Sequence, residues 1–268
     1  MIPLKPRQKI SPIAQGSSFR KAIGSLDRII FRNVAIKATV LLFLAVGPAF
    51  GSGPDVLFRE NFDSLAQWES LTFPKIKAHS TYTLVKEGDT SILKAESRGS
   101  ASAMVYRRTF NVYDNPRIRW RWKVDQLSDW GDPREKARDD YPIRVYVMFS
   151  YDPAQASLGD RLIYGAAKAI YDKYPPHSTL NYVWTGHNLS ERIIVSPYTE
   201  KARIIILEKG KERVGQWVEE SVHVLDDNRK AFGKDPPAVA GLAVMSDTDN
   251  TGESASAYID FIEAGKDN

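Results

Sequence analysis

The 268-residue chain has no cysteine, four scattered histidines and none of the short motifs that mark the common catalytic folds. Absence of cysteine removes disulfides, thiolate zinc sites, iron–sulfur clusters and thiol nucleophiles. His79, His177, His187 and His223 fall at no metal-ligand spacing. There is no G-x-S-x-G elbow, no P-loop, no G-x-G-x-x-G and no H-E-x-x-H. Excess basic charge is also missing once one region is set aside. The chain carries 37 Lys and Arg against 33 Asp and Glu, but residues 1–51 hold 8 of the basic residues and 1 of the acidic ones, so the remainder carries 29 against 32, a net of −3. A mildly acidic domain makes a poor nucleic-acid partner, because neutralising phosphates takes clustered Lys and Arg.

The basic region is itself a signal. Lys5, Arg7, Lys9, Arg20, Lys21, Arg28, Arg32 and Lys37 stand against one acid, Asp27, and the apolar run ATVLLFLAVGPAF follows at 38–50. A positive segment, a short apolar stretch and a small-residue exit at Ala49 and Gly51 predict a secretory leader over 1–51. The apolar run is shorter than the roughly 20 residues of a membrane-spanning helix. The expectation is therefore a periplasmic or secreted protein with no membrane span in its mature form. Its working part is a single domain over 54–264, large enough to fold without covalent staples.

Within that domain the dominant pattern is period-two alternation in short runs separated by turn residues. The runs are 56–61, 82–87, 91–97, 102–110, 117–124, 143–151, 180–184, 202–208, 216–224, 239–246 and 256–264. About eleven strands without a βαβ rhythm predict a mainly β fold, an antiparallel β-sandwich or jelly roll. Two helices interrupt it. One is predicted over about 153–172, with Asp152 as N-cap and Pro153 as first residue, and with Leu158, Leu162, Ala166 and Ile170 on one face. The other is predicted over about 225–232, capped by Gly233.

Three groups of residues carry candidate chemistry. In RIRWRWKV, Ile118, Trp120, Trp122 and Val124 share one strand face, and Arg117, Arg119, Arg121 and Lys123 share the other. Strand 143–151 divides likewise, with Arg144, Tyr146 and Met148 on its polar side. If both strands lie in one sheet, Arg121, Lys123, Arg144 and Tyr146 form a face suited to a glycan or an anion, where arginine offers a planar fork. The competing reading is a solvated face of cross-strand ion pairs. Trp184, beside Thr185, Gly186 and His187, is a candidate stacking platform, with core packing as its alternative.

The second group is DTDNTGE at 247–253, where Asp247, Asp249, Asn250 and Glu253 place four oxygen side chains around Gly252. This chemistry suits a hard cation such as calcium, with Asp247, Asp249 and Glu253 as ligands, or a ligand-contacting loop through Asp247, Asp249 and Asn250. It is not an EF-hand, because Tyr258 stands where the bidentate Glu belongs. An Asx-rich turn is the alternative. The third group is the charged stretch 125–142, longer than an ordinary connection, which contains Asp139 and Asp140.

Read together, FPKI (73–76), YRRTF (106–110), WRWKV (120–124), DDYPIRVYVMF (139–149), PPHSTLNYVW (175–184), GQWVEE (215–220) and MSDTDNTGESASAYID (245–260) resemble the bacterial exported proteins of domain-of-unknown-function family 3047. The resemblance implies an exported or periplasmic protein and carries over no established activity or catalytic residues. FRENFDSLAQWE (58–69) and SAYIDFIEA (256–264) also resemble the opening and closing strands of galactose-binding-like jelly rolls. That analogy implies a structural calcium held between Glu60 and Asp260.

The functional expectation is non-catalytic binding of a glycan or another polar, anionic envelope component. Two other classes stay open. One is a polysaccharide hydrolase or lyase that uses Asp139, Asp140, Asp247 and Asp249, with Arg144 stabilising charge. The other is an envelope structural or partner-binding protein with an apolar patch on the first helix.

Overall fold

The computed structural model describes residues 55–127, 132–154, 156–171 and 174–267; the predicted leader lies outside them. The chain forms β1 (Val56–Glu60), β2 (Trp68–Leu71), β3 (Thr81–Glu87), β4 (Thr90–Arg98), β5 (Ala101–Asn111), β6 (Arg117–Val124), β7 (Tyr141–Phe149), α1 (Leu158–Tyr171), β8 (Ser178–Thr185), β9 (Ile193–Val195), β10 (Ala202–Lys209), β11 (Val218–His223), α2 (Val224–Phe232), β12 (Val239–Asp247) and β13 (Ser254–Gly265). A six-stranded sheet runs β11-β6-β13-β4-β3, with β1 also paired to β13; a seven-stranded sheet runs β2-β5-β12-β7-β8-β10-β9. The two form the predicted sandwich.

All pairs are antiparallel except β8 with β10. The exception has a topological cause. The chain leaves β8 for the edge strand β9, and β10 then fills the gap between them, so it must run parallel to one neighbour.

The core follows from the alternation. Ile118, Trp120, Trp122 and Val124 of β6 are fully enclosed, and so are Ile143, Val145, Val147 and Phe149 of β7 and Leu180, Tyr182 and Trp184 of β8. Trp120 meets Trp122 edge-on at 5.4 Å and Tyr182 at 5.4 Å, and Trp122 meets Trp184 at 6.1 Å. Such aromatic pairs contribute about 0.5–1.5 kcal/mol each beyond their burial.

Two expectations need correction. Strands 117–124 and 143–151 lie in opposite sheets, not in one, so their apolar faces meet and their polar faces point away from each other. The first helix starts at Leu158 rather than Pro153, because Asp152 Oδ1 accepts the Ala154 N–H at 2.8 Å and closes a local turn instead of capping the helix. Leu158 and Leu162, expected on one face of this helix, are 79% and 77% exposed; the side chains of Ala166 and Ile170 lie outside those described. Tyr164 anchors α1, stacked on Tyr151 at 3.8 Å with its hydroxyl 3.1 Å from the Pro176 carbonyl. The second helix is as expected, with Gly233 at φ 70° donating its N–H to Arg229 O.

Candidate functional site

Pairing of β7 with β12 sets Asp247, at the end of one strand, opposite Tyr141, at the start of the other. The segment entering β7 and the loop leaving β12 therefore meet, and they carry most of the acids singled out above. Arg144 Nε donates to Asp247 Oδ1 at 2.8 Å, and Nη2 also bonds Oδ2. Arg144 Nη1 donates to Asp139 Oδ2 at 3.2 Å, and Nη2 reaches the Asp139 carbonyl. The Tyr141 N–H completes the set on Asp247 at 3.3 Å.

Asp140 grips the following loop. Its Oδ1 accepts from Asn250 N at 3.3 Å and Nδ2 at 2.9 Å, and its Oδ2 accepts from Thr251 N and Oγ1, both at 2.8 Å. The Tyr198 hydroxyl lies 3.0 Å from the Lys136 carbonyl and 3.2 Å from Asn250 Oδ1, so a third loop joins.

Electrostatics here are governed by burial. Asp139, Asp140, Arg144 and Asp247 are all buried, and Asp249 is half-buried. Burial pushes the Asp247 carboxyl up to about 7 despite Arg144, and Asp140 and Asp139 add to the rise. Burial likewise raises Asp139, with Arg144 opposing, and raises Asp249, with Asp140 adding. Asp140, Asp247 and Asp249 each offer an oxygen within 4.8 Å of the others.

The structure thus gathers Arg144, Asp247, Asp249 and Asn250, with Asp139 and Asp140. Tyr146 lies beside Arg144 on the outer face of the seven-stranded sheet, its hydroxyl 3.7 Å from Met245 Sδ. The remaining candidates do not join them. Trp184 is wholly buried, its Nε1 donating to Gly210 O at 3.2 Å, so it is core and not a platform. Arg121 and Lys123 lie on the far sheet with partners of their own: Arg121 pairs with Asp260 at 3.2 Å and Lys123 with Glu87 at 3.5 Å, as Arg117 does with Asp267 and Arg119 with Glu263. Of the two readings of this strand face, the structure shows the ion-paired wall and not a free cationic surface. Glu60 accepts from Phe62 N at 2.7 Å and Trp68 Nε1 at 3.3 Å, while Asp260 is held by Arg121; each of the two expected calcium ligands has its own protein partner. Glu253 is exposed and stands outside the gathered carboxylates.

Sequence reasoning missed a second feature, at the other end of the same sheet. A cleft of about 750 Å³ opens between Tyr113 on the β5–β6 loop, Ser150–Pro153 after β7, His177 before β8 and Lys234–Val239 before β12. Tyr113 is 45% exposed, and its ring is positioned by a 2.8 Å bond from its hydroxyl to Pro236 O. Tyr151 is fixed by its stack on Tyr164. Pro153, Pro236 and Pro237 supply rigid apolar wall, and Asp152, His177, Lys234 and Asp235 supply polar groups. The lining comes from separate loops, so no local motif marks it. Strand β12 joins the two features, with Val239 in the cleft and Asp247 in the acid cluster, roughly 25 Å apart at strand rise.

The family model described as Protein of unknown function (DUF3047) matches residues 66–263, and the chain belongs to that family. Among curated proteins, none matches the sequence. Similar solved structures include a family 11 carbohydrate-binding module from Clostridium thermocellum in complex with a beta-1,3-1,4-mixed-linked tetrasaccharide, 10% identical, covering 80% of this chain and 96% of that one at a TM-score of 0.36. A family 30 carbohydrate-binding module of a Clostridium thermocellum cellulosomal cellulase is 10% identical, covering 82% and 96% at 0.34. Endoglucanase 3 of Trichoderma harzianum is 6% identical, covering 76% and 100% at 0.35. At these identities and scores the likeness carries no argument about ligand or reaction.

Proposed function

We propose that this DUF3047 chain is an exported, non-catalytic binding module that holds a glycan in the cleft between Tyr113, Ser150–Pro153 and Lys234–Val239. The observation that carries this reading is the cleft's composition: an exposed, hydrogen-bonded tyrosine ring beside three prolines, with Asp152, His177, Lys234 and Asp235 around them. A sugar ring presents an apolar face and a rim of hydroxyls, which these two kinds of group complement. The cleft volume falls within the roughly 300–1,000 Å³ of ordinary ligand sites. Rings held in place before binding lose little freedom when a ligand arrives.

The non-catalytic part rests on separation. The acid cluster, with its raised Asp139, Asp247 and Asp249, sits at the opposite end of β12, and Asp139, Asp140 and Asp247 are enclosed, out of reach of a polymer in the cleft. Export rests on the basic, then apolar, pattern of residues 1–51.

The test is a glycan array followed by calorimetry on the hits. The Tyr113→Ala variant is expected to weaken binding about tenfold, or about 1.4 kcal/mol. A wild-type protein that binds no glycan below about 1 mM, or a Tyr113→Ala variant that binds as well as wild type, overturns the reading.

A further inference from the structure

We propose that Asp140, Asp247 and Asp249 hold a calcium ion where the segment entering β7 meets the loop leaving β12. This is independent of whether the cleft binds a glycan.

The spacing fits without rearrangement. Calcium–oxygen bonds run about 2.3–2.6 Å, so two oxygens on one ion lie no more than about 5 Å apart. One oxygen from each of the three carboxylates lies within 4.8 Å of the other two. Charge points the same way. Arg144 pairs with Asp139 and Asp247, which leaves Asp140, held by neutral donors, and half-buried Asp249 without an ion pair among the described residues. Buried carboxylates in excess of their partners are costly.

A separate observation marks the place as one short of a partner. The Asp139 side chain is 5% exposed and its Oδ2 is bonded to Arg144, yet among the described residues its buried Oδ1 has no well-formed hydrogen bond, the Tyr141 hydroxyl giving it only a weak one. Buried polar atoms are nearly always satisfied, and those left over call for an ion or water. A hydrated cation beside Asp140, Asp247 and Asp249 provides both.

The donor set selects the metal. It is all oxygen, with no imidazole or thiolate, which favours a hard cation over zinc or copper. Calcium tolerates the irregular geometry of loop carboxylates better than magnesium, which demands a near-ideal octahedron. The four hydrogen bonds that Asp140 accepts from Asn250 and Thr251 fix its orientation, as outer partners commonly do for a ligating carboxylate. The ligand set also differs from one drawn from the 247–253 loop alone: exposed Glu253 drops out, and Asp140 enters from the opposite strand's approach.

The experiment is calorimetric titration of CaCl2 into the chelator-stripped protein, with melting curves in parallel. The expected result is one ion per chain and a melting temperature several degrees higher in about 1–10 mM CaCl2, since a ligand bound only by the native state stabilises it. Asp249→Asn alters the half-buried, unpaired member of the three. It is expected to lower calcium affinity at least tenfold and to leave the stripped protein's melting temperature nearly unchanged, and Glu253→Gln is expected to bind as wild type. No heat and no melting shift in stripped wild type refutes the site, whatever the variants do. An unchanged calcium response in Asp249→Asn refutes the ligand set, and tighter binding of MgCl2 than of CaCl2 refutes the metal.

Discussion

Glu220 on β11 points the wrong way for a surface acid. It pairs with Trp120 across the β11–β6 ladder, between the Val218–Trp122 and Val222–Ile118 pairs, so it shares their inward face. Its Oε1 is buried and makes no well-formed hydrogen bond among the described residues, and neither do the indole nitrogens of Trp120 and Trp122, although the Trp122 N–H bears on the carboxyl. Burial, reinforced by Glu208 across the sandwich and opposed by the nearby Trp122 indole N–H and by Arg213 and Arg192, raises its carboxyl from 4.5 to about 7.

The sign follows from linkage. In the unfolded chain this group titrates near 4.5, and in the native state near 7, so between those values the native protein holds a proton that the unfolded chain has lost. Stability from this group is full below the unfolded value and is lost as pH rises towards 7. A tenfold change in proton affinity is worth about 1.4 kcal/mol, which gives roughly 3 kcal/mol for a fully enclosed group. Glu220 is only half-buried, and screening by solvent reduces this to about 1–2 kcal/mol.

Glu220→Gln removes the charge and keeps the shape. The variant is expected to exceed wild type by about 1–2 kcal/mol at pH 8 and to match it near pH 4, by urea unfolding at intervening pH values. Asp247, also raised to about 7, contributes with the same sign in both proteins, so the difference between them isolates Glu220. A difference that does not vary with pH, or a variant weaker than wild type at pH 8, refutes the reasoning. The energetic cost has a structural counterpart: β11 is an edge strand, and an inward-pointing charge at an edge discourages pairing with another chain.

Two further substitutions test the fold that carries both sites. Trp184→Ala is expected to cost about 3–5 kcal/mol in urea unfolding, because it empties the contact with Trp122 and orphans the Gly210 carbonyl; a cost under about 1 kcal/mol would mean Trp184 is not core. Gly265→Ala would place a Cβ 2.7 Å from the Asp55 carbonyl, so β1 must shift off β13. Hydrogen exchange over Val56–Glu60 is expected to speed up and stability to fall by about 1–3 kcal/mol, and unchanged exchange there would contradict the tight approach.

What could be read from the sequence divides along a physical line. Local periodicity exposed eleven of the strands, because each is long enough to show alternation. Trp68–Leu71 and Ile193–Val195, at four and three residues, are too short to carry a period and went unseen. Which sheet a strand joins depends on pairing between distant segments, and nothing in RIRWRWKV or IRVYVMFSY encodes that they face each other across the core. The error in the cationic face follows directly from that gap, and so does the error in Trp184, whose burial depends on β6 lying opposite. The acid cluster was partly legible, since Asp247, Asp249 and Asn250 share one loop. Their meeting with Asp139, Asp140 and Arg144 depends on the β7–β12 register, a contact of high sequence separation. The cleft depends on four connections at once and left no trace in any single stretch. The more segments a site draws on, the less of it any local pattern shows, and this ordering places the two sites differently. The cluster is built on strand ends whose register is set by a buried face, so a one-residue slip would turn Ile143, Val145 and Val147 out of the core. The cleft is built on loops, which are free to differ in sequence while the sandwich beneath them stays the same.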